Sequence, residues 1–135
     1  MTTSITYEGQ LRCTAVHNQS NTSIETDAPT DNKGKGERFS PTDLVCTALG
    51  TCMVTTMAIK ALELNIDLKG TVTHVQKFMS TDAPRRIVKI EVSVIFPALV
   101  IEQKDKDYLQ RIGDNCPVAK SLHPDVAQVL TYQWS

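Results

Sequence analysis

Apolar and polar residues alternate most clearly over residues 87–96. Val88, Ile90, Val92, Val94 and Phe96 fall on one side there, and Lys89, Glu91 and Ser93 on the other. A period of two is that of a half-buried strand. The stretch before it, IDLKGTVTHVQKFMS (66–80), also reads as a strand, and Asp82-Ala83-Pro84 as the turn between them, so the two predict a hairpin. Near the start, ITYEGQLRCTAVH (5–17) predicts a strand with a turn at Glu8-Gly9, and SNTSIET (20–26) a returning strand. The Pro, Asn, Asp and Gly residues of DAPTDNKGKGE (27–37) predict a mobile loop.

The pattern then changes to that of a helix. Ser40 suits the N-cap, Pro41 the first helical position, and Asp43 the third, where its carboxylate can complete a capping box and face the positive end of the helix dipole. The helix is expected to run through LVCTALGTCMVTTMAIKALEL to about Leu64, with Asn65 as its terminator. Leu44, Ala48, Leu49, Met53, Met57 and Ile59 do not keep to one stripe, so the helix needs cover on several sides. A sheet can supply one side and a second subunit another. Residues 102–113 read as an amphipathic helix with Tyr108, Leu109 and Ile112 inward, and residues 119–122 as a short helical turn. Residues 125–134 read as a closing strand with Val126, Leu130, Tyr132 and Trp134 mostly on one face. Sheet, long helix, hairpin, helix and strand make an α+β fold, expected as one domain over residues 1–135.

Composition narrows the function classes. The net charge is only -1, and the basic residues Lys33, Lys35, Arg38, Arg85 and Arg86 form short clusters without interleaved aromatics, so no nucleic-acid partner is expected. MTTSITYEGQ has neither a basic nor an apolar signal region, and the longest uncharged run, Leu44 to Ile59, is short and rich in Thr for a membrane span. The expectation is a cytoplasmic protein whose four cysteines are free or functional rather than structural cross-links.

Each cysteine has a plain reading and a chemical one. Cys52, inside the long helix, is either a small core residue or a nucleophile, with Gly50 and Thr51 allowing another element to approach. Cys116 lies between Asn115 and Pro117, where it is either a turn residue or the cap of a short helix whose free N–H groups favour a thiolate. Joining the two requires the fold to bring their Cα atoms within about 7 Å. Cys46 lies about 240° around the helix from Cys52, at about 100° per residue, so core packing is expected for it. Packing is also expected for Cys13, and a turn or surface place for His123. With no CxxC or HxxxH, the case for zinc is weak, and GKG (34–36) lacks the spacing of a phosphate loop.

FSPTDLVCTALGTC (39–52) and NCPVAKSL (115–122), with the length and order of elements, resemble the OsmC/Ohr family of hydroperoxide-related thiol proteins. The first segment is similar to the family's Ser-Pro opening of a central helix that ends in a reactive cysteine. The second is similar to its second-cysteine segment. The resemblance implies an OsmC-like fold with a long central helix, an antiparallel sheet and an intertwined homodimer. It implies Cys52 as the peroxidatic thiol, Cys116 as its resolving partner, an organic hydroperoxide as substrate and a dithiol, typically lipoyl, as reductant. It implies no haem, flavin or metal cofactor.

The chain also departs from that pattern. The family's peroxidases place an arginine from an early loop near the thiol and hold it with a glutamate just after the helix-start Pro. Here Thr42 follows Pro41, the acid comes at Asp43, and residues 18–30 contain no arginine. Arg12 and Arg38 are the arginines of the first half, and Arg38 is the better placed, closing the loop that leads into the Cys52 helix. Cys52, Cys116, Arg38 and Asp43 are therefore the candidate site. The alternatives are a family member that binds a small apolar or thiol-reactive ligand at a dimer seam, and an interaction protein whose cysteines only pack.

Overall fold

The computed structural model describes residues 1–135, which divide into two compact units, Met1–Val45 and Cys46–Ser135. In the first, β1 (Thr3–Gly9), β2 (Arg12–His17) and β3 (Ser23–Asp27) form an antiparallel meander. Its first turn falls at Gln10-Leu11, both at positive φ, rather than at Glu8-Gly9. Left-handed turn residues match the right-handed twist of paired strands, which is why the turn settles there. Ile5, Ala15 and Ile24 stand in register across the sheet, as do Tyr7, Cys13 and Thr26. Much of this face is open: Ile5 is 65 % exposed and Tyr7 63 %.

One buried carboxylate holds this sheet to the segment that follows β3 within the unit. Asp27 is 1 % exposed and accepts Arg12 Nε at 2.7 Å and Arg12 Nη2 at 2.9 Å. It also accepts the Glu37 N–H at 3.2 Å, while the Asp27 N–H donates to the Phe39 carbonyl at 3.1 Å. Bidentate pairing is the strong form of an arginine–carboxylate contact. Residues 27–37, expected as an open mobile loop, instead contain a 3-10 turn at Thr30–Asn32, and the Gly36 N–H returns to the Ala28 carbonyl at 3.3 Å.

Helix α1 (Pro41–Glu63) begins and ends with recognisable chemistry. The Ser40 N–H donates to Asp43 Oδ2 at 2.9 Å and the Asp43 N–H to Ser40 Oγ at 3.0 Å, a complete capping box. At the far end Asn65 is left-handed at φ 59. Its N–H reaches the Leu62 carbonyl and the Ile66 N–H reaches that of Ala61, which is a Schellman closure.

In the second unit, β4 (Val72–Met79), β5 (Ile87–Ile95) and β6 (Ala127–Gln133) form a sheet in that order. The β4–β5 pair is the expected antiparallel hairpin, but β4 starts at Val72, not at 66. Asp67 Oδ1 takes the Lys69 N–H at 2.9 Å, and the Leu68 carbonyl takes both the N–H and the hydroxyl of Thr71. Turn bonds thus use the groups that a strand ladder would need. Antiparallel pairing stops at β5, because β6 runs parallel to it. The cause is the long crossover carrying α2 (Gln103–Asp114) and α3 (Pro117–Ser121), which returns the chain in the direction it left.

The core lies where α1 meets this sheet. Cys46, Leu49, Met53, Met57 and Ala61 form its buried stripe, joined by Ile90, Val92, Val94, Phe96 and Leu109. Each large apolar side chain so buried contributes about 1.5–3 kcal/mol. Phe96 stacks on Trp134 with ring centroids 3.7 Å apart. By length and composition α1 could cross a membrane, but this stripe makes it a core helix. Its other flank stays open, with Ile59 55 % and Leu62 62 % exposed.

The Asp27 carboxyl is held below its ordinary value, chiefly by the Arg12 hydrogen bond, against the upward pull of burial. A depressed carboxyl adds stability above its unfolded pKa of about 3.8 and loses it as pH falls through the folded value. Urea denaturation over an acid pH series is therefore expected to show a loss of stability that Asp27→Asn flattens, with Asp27→Asn already less stable at pH 7.

Candidate functional site

Cys52 lies in α1 on the flank of the buried stripe, between Leu49 and Met53, and is half-buried. Its height over the sheet is set two residues earlier. A Cβ on Gly50 would come 2.7 Å from Val75 Cγ2 and 3.4 Å from Thr73 Cγ2, so α1 rests on β4 at a distance only glycine permits. One turn onward, Thr56 Oγ1 lies 3.7 Å from Cys52 Sγ. Residues four apart share a helix face, so this pairing follows from α-helical spacing alone.

Cys116 reaches the same place from the other side of the unit. Helix α2 stops at Asn115, whose side-chain amide caps the Arg111 carbonyl at 2.8 Å. Cys116 is then the N-cap of α3, extended at φ -63 and ψ 157, with Pro117 beginning the helix. The Lys120 N–H returns to the Cys116 carbonyl at 3.1 Å. The Cys116 side chain is fully buried. Both thiols are free, and they lie close enough to act on each other's acidity.

Their environments pull them apart. Burial works to raise Cys52, but the Val118 N–H, the Thr56 hydroxyl and the Cys116 thiol outweigh it, and the thiol is pushed below its ordinary value. Cys116 moves the other way, raised by burial and then by Cys52. The Ala119 and Val118 N–H groups face it and only partly offset this, without forming a regular capping hydrogen bond. Behind Cys116, the Tyr132 hydroxyl donates to Asp114 Oδ1 at 2.7 Å and leans on the Gln110 carbonyl at 3.3 Å. Burial and then Asp114 hold that phenol well above its usual range. Met57 Sδ and the Tyr132 hydroxyl occupy the space that a side chain at Gly113 would need.

The other sequence candidates have partners in their own unit. Asp43 is engaged at the helix cap with Ser40. Arg38 donates from Nε to Glu25 Oε1 at 3.0 Å and from Nη1 to the Glu37 carbonyl at 3.1 Å. Arg12 is committed to Asp27. Cys46 packs in the core stripe, and Cys13 is half-buried in β2. His123 is exposed, and its Nδ1 accepts the Asp125 N–H at 3.0 Å, as suits a turn residue. Sequence reasoning did not single out Thr56, the Val118 N–H or Tyr132. The four-residue step from Cys52 was the readable sign of the first.

A half-exposed acidic thiol beside a buried, less acidic one is a pair able to cycle between dithiol and disulfide. The family described as OsmC-like protein matches residues 34–129. A protein of Psychrobacter arcticus 273-4, provisionally described as an osmotic stress induced and detoxification response protein, is 44 % identical, with 98 % of this chain and 96 % of that one covered and a TM-score of 0.93. The chain belongs to the OsmC-like family. Two more distant structures share the fold of this OsmC-like chain. An organic hydroperoxide resistance protein OsmC of Legionella pneumophila is 14 % identical over 98 % of this chain and 97 % of that one, with a TM-score of 0.75. A protein of Vibrio cholerae O1 biovar eltor, provisionally described as an organic hydroperoxide resistance protein, was crystallised with captopril in one of its active sites. It is 12 % identical over 98 % of this chain and 91 % of that one, with a TM-score of 0.74. No curated protein gives a significant match.

Because Cys52 is lowered and Cys116 raised, a pH series of iodoacetamide labelling read by peptide mapping is expected to modify Cys52 first, and at lower pH. Equal labelling of the two, or Cys116 first, would contradict the assignment of roles.

Proposed function

We propose that this OsmC-like protein is a thiol-dependent reductase of organic hydroperoxides, working as a homodimer in a reducing compartment such as the cytoplasm. The observation that carries the reading is that Cys52 and Cys116 act on each other, with their acidities pushed in opposite directions. The Cys52 thiolate attacks the terminal peroxide oxygen. The O–O bond breaks, the leaving alkoxide takes a proton to become the alcohol, and Cys52 becomes a sulfenic acid. Cys116 then attacks the Cys52 sulfur, forming the disulfide and releasing water. A dithiol, lipoyl or another, restores both thiols by exchange and is itself oxidised to a disulfide. Sulfur carries all the electrons in this scheme, and no metal or organic cofactor takes part.

In this scheme Asp43 fixes the start of the helix that carries Cys52. Arg38 is proposed as the cation that assists the peroxide. Its bond to Glu25 joins two side chains that are 46 % and 41 % exposed, and such pairs are inexpensive to open. The dimer is supported by exposed apolar side chains in each unit, Ile5 and Ile24 on the first sheet and Ile59 and Leu62 on the open flank of α1.

One observation favours the ligand-binding alternative. A groove of about 360 Å³ beside the second half of α1 has Val54, Ala58, Leu62 and Leu68 in its lining alongside the polar Thr55, Asp67 and Lys69, and neither thiol. A small apolar ligand there would bind independently of Cys52.

Brief treatment with one equivalent of cumene hydroperoxide, followed by intact-mass and peptide mapping, separates the two readings. The expected result is loss of two protons, mapped to a Cys52–Cys116 disulfide. Cys52→Ser should abolish peroxide consumption in a folded protein, and Cys116→Ser should leave a sulfenic acid on Cys52. Thiols unchanged after minutes would leave the ligand-binding reading in front. Arg38→Ala is expected to slow peroxide consumption by about tenfold or more; an unchanged rate would remove Arg38 from the site.

A further inference from the structure

We propose that the Thr56 hydroxyl is a built-in donor to the Cys52 sulfur and sets its reactivity, in the role that a nearby cation has in other thiolate sites. The assignment deepens the thiol reading above and rests on Cys52 being the attacking group.

The geometry distinguishes Thr56 from Thr51 in the same helix. A helical threonine commonly turns its hydroxyl back to the carbonyl three or four residues earlier. Thr51 does this, reaching the Thr47 carbonyl at 3.1 Å and that of Ala48 at 3.2 Å. The Thr56 hydroxyl instead lies against the side chain four residues earlier, 3.7 Å from Cys52 Sγ. A thiolate can only accept, so in the reactive state the hydroxyl donates. Thr56 is also only half-exposed, so the bond is partly shielded from water, which strengthens a hydrogen bond to a charged sulfur.

The surroundings leave room for such a role. The titratable group facing Cys52 within its unit is Cys116, from the start of α3. Cys116 and Asp114 act on Tyr132, and neither Tyr132 nor Asp114 acts on Cys52. The groups that lower Cys52 there are neutral: the Val118 N–H, the Thr56 hydroxyl and the Cys116 thiol. The first belongs to the backbone and the last is consumed when the disulfide forms. Thr56 is therefore the side-chain donor present at every stage of a cycle, and the one open to substitution without disturbing the thiol pair.

The test measures the pH profile of Cys52 alkylation by iodoacetamide, read by peptide mapping, in the full chain and in Thr56→Val, Thr56→Ser and Thr51→Val. Thr56→Val keeps the shape and removes the donor. Its profile should move to higher pH, with alkylation at neutral pH about fivefold or more slower, a loss in keeping with a hydrogen bond to a charged group. Thr56→Ser should return the profile toward that of the parent chain, and Thr51→Val should leave it unmoved. A Thr56→Val profile that overlays the parent's would overturn the proposal, as would a failure of Thr56→Ser to restore a shifted one. No peroxide enters this assay. A shifted profile in a protein that does not consume hydroperoxide would retire the peroxidase reading and keep the Thr56 assignment. An unshifted profile in a protein that does consume it would do the reverse.

Discussion

The approach of α1 to β4 at Gly50 is the constraint on which the site depends. Because no side chain separates the helix from Val75 and Thr73, the helix axis lies close to the sheet. That closeness sinks the stripe of Cys46, Leu49, Met53, Met57 and Ala61 into the core. It also fixes the rotation of the helix, since only one face can descend so far. Cys52 and Thr56 follow as residues of the adjoining flank, neither buried nor free. The capping box at Ser40 and Asp43 and the closure at Asn65 then fix where the helix begins and ends along its axis.

The second sulfur arrives by a different route. The crossover from β5 to β6 carries α2 and α3 over the unit and makes β6 parallel to β5. Asn115 caps the end of one helix and Cys116 the start of the next, which Pro117 begins. Tyr132, on β6, holds the end of α2 through Asp114 and Gln110. The position of Cys116 therefore depends on strand pairing far from it in the chain, while that of Cys52 depends on one helix and one glycine.

That difference explains what could be read in advance. The capping box, the terminator Asn65, the alternation in β5, and the Pro after Cys116 are local signals, and each marked its element. Glu8-Gly9 misplaced a turn because the left-handed residues are Gln10 and Leu11, neither of which advertises that conformation. The Pro- and Gly-rich stretch after β3 looked open because its anchor, Asp27 with Arg12, joins residues 15 apart in the chain. The start of β4 was placed too early because Asp67 and Leu68 form a turn whose partners lie only two or three residues away. The direction of β6 and the meeting of the two thiols are tertiary facts that no local pattern encodes. Family resemblance named the thiols as partners, and the geometry supplies the reason they differ.

The full burial of Cys116 beside a half-exposed Cys52 has a consequence for the order of events. A solvent-borne reagent meets Cys52 before Cys116, so in the proposed chemistry oxidising equivalents would enter the pair at Cys52. A reductant arriving from solution finds that same sulfur first. Access, rather than intrinsic acidity alone, would thus give the proposed pair a single doorway, with traffic in both directions passing through it in turn.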